Sequence, residues 1–127
     1  MGALVSASPL LLLVEDDTPI REAVTECLEA EGYRVQAAAH GAEALAWLQG
    51  GGRPALVLLD LVMPVMSGPE LINRMRAEAG LATTPVLLMT AAITAAGKPL
   101  PRVDATLSKP FDLDALLAAV KRLVRGR

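Results

Sequence analysis

The sequence predicts an α/β domain in which helices cover both faces of a parallel sheet. Short apolar runs of strand length alternate with segments that have apolar residues at helical spacing, the order typical of such a fold. Several of the runs are apolar throughout, as strands buried on both faces are. With 127 residues, 53% of them hydrophobic, the chain suits one domain with one core.

Five short runs are predicted as strands: residues 10–14, 33–38, 55–61, 85–90 and 104–108. The first, third and fourth consist almost wholly of Leu, Val and Met, which is typical of central strands. The fifth, "DATLS", is the weakest match to a strand. We therefore expect an aliphatic core and a weak fifth strand.

Four segments have the start and stop signals of helices. The first begins at Thr18, a suitable N-cap followed by proline at the first helical position, and ends at Gly32. The second covers residues 41–49. "SGPE" at 67–70 is a capping box that begins the third, and Asp112 is the predicted cap of the last.

The segment between the fourth and fifth strands departs from this pattern. Gly97, Pro99 and Pro101 interrupt it, and proline removes a backbone donor and clashes with the preceding turn of a helix. We therefore predict a shortened or irregular fourth helix, with at most one or two turns within residues 90–97.

Composition argues against several classes of function. The net charge of −2 gives no sign of bulk nucleic-acid binding, and the three aromatic residues offer no platform for stacked bases. The one cysteine, Cys27, rules out an internal disulfide framework, and no apolar run reaches transmembrane length. We expect a cytoplasmic protein without membrane contact, with a flexible tail over residues 1–8 and one domain over 9–127.

Charged and hydroxyl side chains collect at the carboxyl ends of the predicted strands. Parallel strands bring these ends to one edge of a sheet, so the side chains should share one cleft. They are Glu15, Asp16, Asp17, Asp60, Thr90, Ser108 and Lys109. Each one alone has an ordinary explanation, such as a helix cap at Asp17, but their joint placement favours a site.

This set of side chains is typical of phosphoryl transfer. Clustered carboxylates resist ionisation unless a cation neutralises them, and Mg²⁺ (or Mn²⁺) binds such oxygens while leaving positions for water or phosphate. Lys109 adds a mobile positive charge and Thr90 a hydroxyl donor for a phosphoryl oxygen. Asp60 is the candidate nucleophile, because carboxylates can form aspartyl phosphates.

The chain resembles the receiver domains of two-component response regulators. The resemblance is carried by "LLLVEDDTPIRE" (11–22), "LVLLDLVMPVMSGPEL" (56–71), "LLMTA" (87–91) and "LSKPF" (107–111). It implies a (βα)₅ doubly wound five-stranded parallel sheet with strand order 2-1-3-4-5. Residues 9–127 would then form a single receiver domain.

The resemblance implies a phosphoacceptor and a metal site. Asp60 is the expected phosphoacceptor, and it receives the phosphoryl group from a sensor histidine kinase or a phosphotransfer protein. Mg²⁺ is expected on Asp60, on Asp16, on Glu15 through water, and on the backbone carbonyl of Val62. The chain would phosphorylate itself from the donor and would not be an enzyme acting on other substrates.

The resemblance also implies a switch that binds the phosphoryl group. Thr90, the backbone of Ala91 and Lys109 are its expected members, and the bond before Pro110 is expected to be cis. The family has an aromatic residue three positions before the lysine, where this chain has Thr106. Signalling to a downstream protein partner should therefore differ, and we expect a monomer or a weak dimer.

Two further positions depart from the family in a way that bears on hydrolysis. Val62 and Ala92, two residues after Asp60 and Thr90, are apolar and cannot orient an attacking water. We therefore expect a long-lived phosphorylated state.

Other classes of protein remain as alternatives. A haloacid dehalogenase-type phosphatase requires a second acid where Val62 stands, and a flavodoxin-type binder requires a hydroxyl-rich loop where this chain has "EDDTP". A pseudo-regulator that acts as a phosphorylation-independent interaction module would normally have lost one of the site residues. The chain is also compatible with the N-terminal receiver of a longer DNA-binding regulator.

Overall fold

The structure is a computed structural model, and it describes residues 8–60, 68–90 and 103–125. Five strands alternate with helices along these residues: β1 (Leu10–Val14), β2 (Arg34–Ala38), β3 (Leu56–Asp60), β4 (Val86–Thr90) and β5 (Ala105–Ser108). The helices in these ranges are α1 (Thr18–Ala30), α2 (Gly41–Gln49), α3 (Gly68–Arg76) and α4 (Leu113–Arg125). Each predicted strand and helix that falls within the described residues is present, with bounds that differ by one or two residues.

All five strands are parallel, and their order is β2-β1-β3-β4-β5. This confirms the predicted doubly wound sheet. The register pairs Val14 with Leu59, Asp60 with Met89, and Thr90 with Ser108. The carboxyl ends of β1, β3, β4 and β5 therefore lie side by side at one edge.

Side chains alternate between the two faces of the sheet and fill two aliphatic layers. Leu12 and Val14 of β1 point to the layer that α2 and α3 cover, whereas Leu11 and Leu13 point to the layer under α1 and α4. Each fully buried leucine contributes about 2 kcal/mol relative to an exposed one. The aromatic residues pack at the margins of these layers and not at their centres.

The prediction that Thr18 caps α1 was wrong by one residue. Asp17 is the N-cap, and its Oδ1 accepts a hydrogen bond from the Ile20 amide at 2.9 Å. The Thr18 hydroxyl instead accepts from Arg21 Nη2 at 3.3 Å. Two adjacent capping residues competed, and the carboxylate is the stronger acceptor for a backbone N–H.

The other helix signals within the described residues agree with the structure. Asp112 caps α4, with its Oδ1 accepting from the Ala115 amide at 2.7 Å. Gly32 follows the end of α1 with φ +95°, a conformation that glycine adopts without steric cost. The cap of α2 was not predicted: it is the Nδ1 atom of His40, which accepts from the Glu43 amide at 3.2 Å.

The weak fifth strand is supported by the residue before it. Asp104 Oδ1 accepts from the Val86 amide at 2.9 Å, and the Asp104 amide donates to the Val86 carbonyl at the same distance. Within β5, Ala105 and Leu107 pack toward α4, whereas Thr106 is exposed on the opposite face. The position that the family fills with an aromatic residue is therefore an exposed threonine on the edge strand.

Several predictions lie outside the described residues. These are the capping residue Ser67, the roles of Val62, Ala91 and Ala92, the irregular fourth helix and most of the N-terminal tail. Among the helices that the structure does describe, none is long and apolar enough to cross a membrane.

Candidate functional site

Three carboxylates meet at the carboxyl edge of the sheet. Glu15 directly follows β1 and is fully buried, Asp60 ends β3 with 7% of its surface exposed, and Asp16 is exposed to solvent. One oxygen from each carboxylate can be chosen such that all three lie within 4.8 Å of one another. The adjacency of β1 and β3 produces this cluster from residues that are 45 positions apart in the sequence.

Lys109 brings a positive charge to the cluster from the other side of the sheet. Its Nζ lies 2.7 Å from Glu15 Oε1 and 3.3 Å from Asp60 Oδ2. Its backbone amide donates to the Thr90 carbonyl at 2.9 Å, which continues the β4–β5 pairing beyond the strand ends. The bond between Lys109 and Pro110 is cis, the isomer that the resemblance implies.

The electrostatics of the cluster couple Glu15 to Lys109. Burial raises the pKa of Glu15, and the charge of Asp60 adds to this effect, while hydrogen bonds from Lys109 and the Asp17 amide oppose it. Burial by itself lowers the pKa of Lys109, but its hydrogen bond to Glu15 and the charges of Asp60 and Glu15 outweigh burial, so the pKa is raised. The lysine is therefore charged throughout the neutral range.

Both oxygens of Glu15 have hydrogen-bond partners. Oε1 accepts from Lys109, and Oε2 accepts from the Asp17 amide at 3.1 Å. Asp16 faces solvent at the same edge, and no described side chain donates to its carboxylate. Three carboxylates and one ammonium give the cluster a negative net charge. Its possible metal ligands are all carboxylate oxygens, which fits a hard divalent cation.

Thr90 lies one residue beyond the position that pairs with Asp60. Met89 of β4 is the partner of Asp60 in the register, and Thr90, the last residue of β4, is fully buried. The sheet thus brings Thr90 and Lys109 to the edge that holds the three carboxylates. Thr106 is not among them, because it is exposed on β5 and precedes Lys109 by three residues.

Sequence reasoning assigned no role to Arg21, which contacts the loop that carries the acids. Its Nη1 donates to the Glu15 carbonyl at 2.8 Å and to the Asp16 carbonyl at 3.5 Å. The sequence does contain a signal for such a role, because Arg21 is the one basic residue among seven acids in residues 15–31.

An apolar groove of about 390 Å³ adjoins the cluster. Its walls are the first half of α1 and the segment that joins β5 to α4, and its lining residues are Ile20, Ala23, Val24, Lys109, Pro110, Phe111 and Leu113. Leu113 is the one large hydrophobic residue that is exposed in the part of the chain described, with 42% of its surface accessible. Lys109 therefore belongs both to the carboxylate cluster and to this groove.

The fold and the site define a doubly wound α/β protein of the receiver type. A comparison with protein families agrees: the family described as "Response regulator receiver domain" matches residues 11–121. The chain belongs to this family.

Relatives and solved structures support the same family. The Response regulator Rre1 of Synechocystis is 39% identical over 127 residues, which cover 93% of this chain and 53% of the relative. The CheY4 chemotaxis response regulator of Vibrio cholerae is 32% identical with a TM-score of 0.84, over 92% of this chain and 99% of that one. TrrA of Thermotoga maritima, solved with Mg²⁺ and BeF, is 33% identical with a TM-score of 0.79, over 91% and 98%.

The chain spans about half the length of the curated relatives it matches. The CpxR homolog of Haemophilus influenzae, described as a transcriptional regulatory protein, is 36% identical over 91% of this chain but only 50% of its own length. The similarity therefore covers the receiver part of these regulators.

We expect Lys109→Met to destabilise the metal-free protein by about 3 kcal/mol at pH 8, because two buried carboxylates would lose their cation. The loss should be smaller at pH 5. Without the ammonium the pKa of Glu15 in the folded protein rises further. The variant is destabilised while Glu15 is ionised, so the loss of stability becomes smaller as the pH falls through this raised pKa. In the parent the pKa of Lys109 is raised, so its stabilising charge is present at both pH values.

Urea unfolding with a chelator present, at pH 5 and pH 8, measures this difference. Lys121→Met, which removes an exposed lysine of α4, is the control and should have little effect at either pH. An equal loss for Lys109→Met at both pH values would contradict the assigned coupling.

Proposed function

We propose that this chain is the phosphoacceptor receiver domain of a two-component phosphorelay, with Asp60 as the residue that is phosphorylated. The observation that carries the proposal is the environment of Asp60. Its nearly buried carboxylate has Lys109 Nζ at 3.3 Å and two further carboxylates of the cluster beside it. Such a carboxylate can act as nucleophile, and the charges needed to balance an incoming phosphoryl group are adjacent.

The carboxylate oxygens of the cluster are suitable ligands for Mg²⁺ (or Mn²⁺), and the residues that would hold the ion can be named. Asp16 and Asp60 are the direct ligands in this proposal, and the resemblance to receiver domains adds the backbone carbonyl of Val62. Glu15 acts through water, which is supported by the hydrogen bonds that already occupy both of its oxygens. When bound, the cation neutralises charge on the phosphoryl oxygens.

Phosphorylation is an exchange of one bond for another. An oxygen of Asp60 bonds to phosphorus while the phosphorus–nitrogen bond of a phosphohistidine breaks, and the imidazole leaves with the bonding electrons and takes up a proton from solvent. The Lys109 ammonium binds a phosphoryl oxygen, and the Thr90 hydroxyl and the Ala91 amide donate to another. Before phosphorylation, Lys109 Nζ lies 2.7 Å from Glu15 Oε1. Binding to the phosphoryl oxygen therefore moves the ammonium from Glu15 toward Asp60.

The signal then passes to a protein partner. Movement of Thr90 and Lys109 would alter the β4 and β5 ends, and Thr106 offers a small polar side chain where the family has an aromatic one. We propose a cytoplasmic, monomeric or weakly dimeric receiver that is not an enzyme for other substrates and makes no nucleic-acid contact itself. The intact site residues argue against a pseudo-regulator.

A second candidate is the receiver of a longer DNA-binding regulator. The length of the relatives favours it, since the chain matches only about half of each. One of them, RpaA of Synechocystis, is described as a DNA-binding transcriptional regulator. In that case the chemistry proposed for Asp60 is unchanged, and the output belongs to another part of the protein.

The groove beside Lys109 is the proposed docking surface of the phosphohistidine donor. A donor that delivers a phosphoryl group to Asp60 must cover the surface next to it, and Lys109 and Pro110 join the groove to the site. Exposed acids adjoin the lining residues in the sequence: Glu22 precedes Ala23 on α1, and Asp112 precedes Leu113 at the start of α4. These features suit a donor helix with an apolar face and basic flanks.

The phosphoacceptor is tested with acetyl phosphate and Mg²⁺. We expect intact-protein mass spectrometry to show the addition of one phosphoryl group to the parent and none to Asp60→Asn, because the amide is not a nucleophile. Asp17→Asn, which keeps the cap of α1, is the control and should be labelled like the parent. Equal labelling of Asp60→Asn would contradict the assignment.

The stability of the phosphorylated state is tested by its decay after the donor is removed. We expect Val62→Asn to lose the phosphoryl group several-fold faster, because an amide can orient the attacking water and a valine cannot. Val65→Asn, three positions further along the sequence, is the control. A decay that is unchanged or slower in Val62→Asn would count against this part of the proposal.

The docking surface is tested with Leu113→Glu and a panel of phosphorylated histidine-kinase domains. We expect transfer from the most active kinase to slow about tenfold or more, because a charge enters the apolar contact. Labelling by acetyl phosphate should not change. Ala118→Glu, an exposed substitution on the same helix, is the control, and an equal effect of both variants on kinase transfer would refute docking at the groove.

A further inference from the structure

Arg21 is the second cation near the carboxylate cluster, and it contacts the chain differently from Lys109. It lies in the first turns of α1, is half-buried, and its guanidinium turns back toward the loop after β1. Its two terminal nitrogens donate to the Glu15 carbonyl at 2.8 Å, the Asp16 carbonyl at 3.5 Å and the Thr18 hydroxyl at 3.3 Å. All of its hydrogen bonds in the described structure therefore go to the loop or to the start of its own helix.

The two carbonyls belong to the residues whose carboxylates form the cluster. A carbonyl that is held fixes the orientation of its peptide plane, and thereby the direction in which the neighbouring side chains leave the backbone. The loop has other attachments: the Glu15 amide donates to the Ala38 carbonyl at 3.0 Å, and the Asp17 amide donates to Glu15 Oε2. Arg21 adds charge-assisted bonds on the carbonyl side, both of them from Nη1.

Lys109 and Arg21 also differ in whether they occupy the carboxylate oxygens that a metal ion would use. Lys109 occupies Glu15 Oε1 and approaches Asp60 Oδ2, so its charge competes for the carboxylate oxygens. Arg21 places its charge beside three consecutive acids, but its hydrogen bonds go to two main-chain carbonyls and the Thr18 hydroxyl, and none goes to a carboxylate. It can therefore reduce the repulsion among the acids without taking an oxygen that a metal ion would use.

We propose that Arg21 is a positioning residue for the acidic pair: it holds the main chain of Glu15 and Asp16 so that their carboxylates face Asp60, and it thereby raises the affinity of the site for a divalent cation. The inference rests on the proposed function of the site. Arg21 itself touches neither the phosphoryl group nor the carboxylates.

The test compares Arg21→Met and Arg21→Lys with Arg76→Met. Arg76 is a matched control, because its Nη1 also bonds to main-chain carbonyls, those of Leu81, Ala82 and Thr84, at a turn that follows α3. Isothermal calorimetry gives the Kd for Mg²⁺ without any donor, and acetyl phosphate labelling is then followed as a function of Mg²⁺ concentration. Urea unfolding without metal reports any general loss of stability.

We expect Arg21→Met to weaken Mg²⁺ binding about tenfold. Its labelling rate should recover most of the parent value at saturating Mg²⁺, because Asp60 and Lys109 are intact. Arg21→Lys should lie between the two, since it keeps the positive charge but offers one nitrogen, whereas the guanidinium donates from Nη1 to both carbonyls and from Nη2 to the Thr18 hydroxyl. Arg76→Met should lose stability with an unchanged Kd for Mg²⁺.

An unchanged Kd for Mg²⁺ in Arg21→Met, or an equal change in Arg76→Met, would overturn the inference about Arg21. The proposed function would be unaffected, because phosphorylation of the parent would still support it. A parent that binds Mg²⁺ without being labelled would defeat the proposed function, and a weakened Kd in Arg21→Met would still support the inference. If Arg21→Met does not fold, Arg21→Lys decides the question by the same two outcomes.

Discussion

The burial of Glu15 at the end of β1 sets the electrostatic requirement that the rest of the site meets. A fully buried carboxylate at the end of β1 requires a compensating cation, because its desolvation is costly. Lys109 supplies that cation from a position 94 residues further along the chain and at the opposite side of the sheet. The sheet order β2-β1-β3-β4-β5 makes the contact possible, because it brings the carboxyl ends of β1, β3 and β5 to the same edge.

In the proposed function, the same contact would let the site respond to phosphorylation of Asp60. Lys109 is shared unequally between two carboxylates, with Glu15 at 2.7 Å and Asp60 at 3.3 Å. New negative charge on Asp60 would change that balance and draw the ammonium toward it. Because the amide of Lys109 is bonded to the Thr90 carbonyl, a shift of the lysine acts on the ends of β4 and β5 together. Under the proposed function, Lys109 would thus couple the charge at the site to the position of the edge strand.

Much of the fold and the cluster could be predicted from the sequence, because parallel topology converts a simple pattern into a location. Asp60 and Lys109 were placed together from the fact that each ends or follows a strand. Contacts decided by side-chain direction could not be predicted. The preference of Lys109 for Glu15 over Asp60, and the turn of Arg21 toward the loop carbonyls, depend on geometry that the sequence pattern does not contain. The cap of α1 was misplaced because Asp17 and Thr18 are both suitable acceptors.

In the proposed function, Asp60 accepts a phosphoryl group and Lys109 moves to it from Glu15. A crystal structure with Mg²⁺ and beryllofluoride, a mimic of the phosphoryl group, tests this most directly. We predict beryllofluoride on an Asp60 carboxylate oxygen, with Lys109 Nζ bonded to a fluoride and no longer within hydrogen-bonding distance of Glu15. Beryllofluoride absent from Asp60, or Lys109 still bonded to Glu15 beside a bound beryllofluoride, would contradict these roles of Asp60 and Lys109.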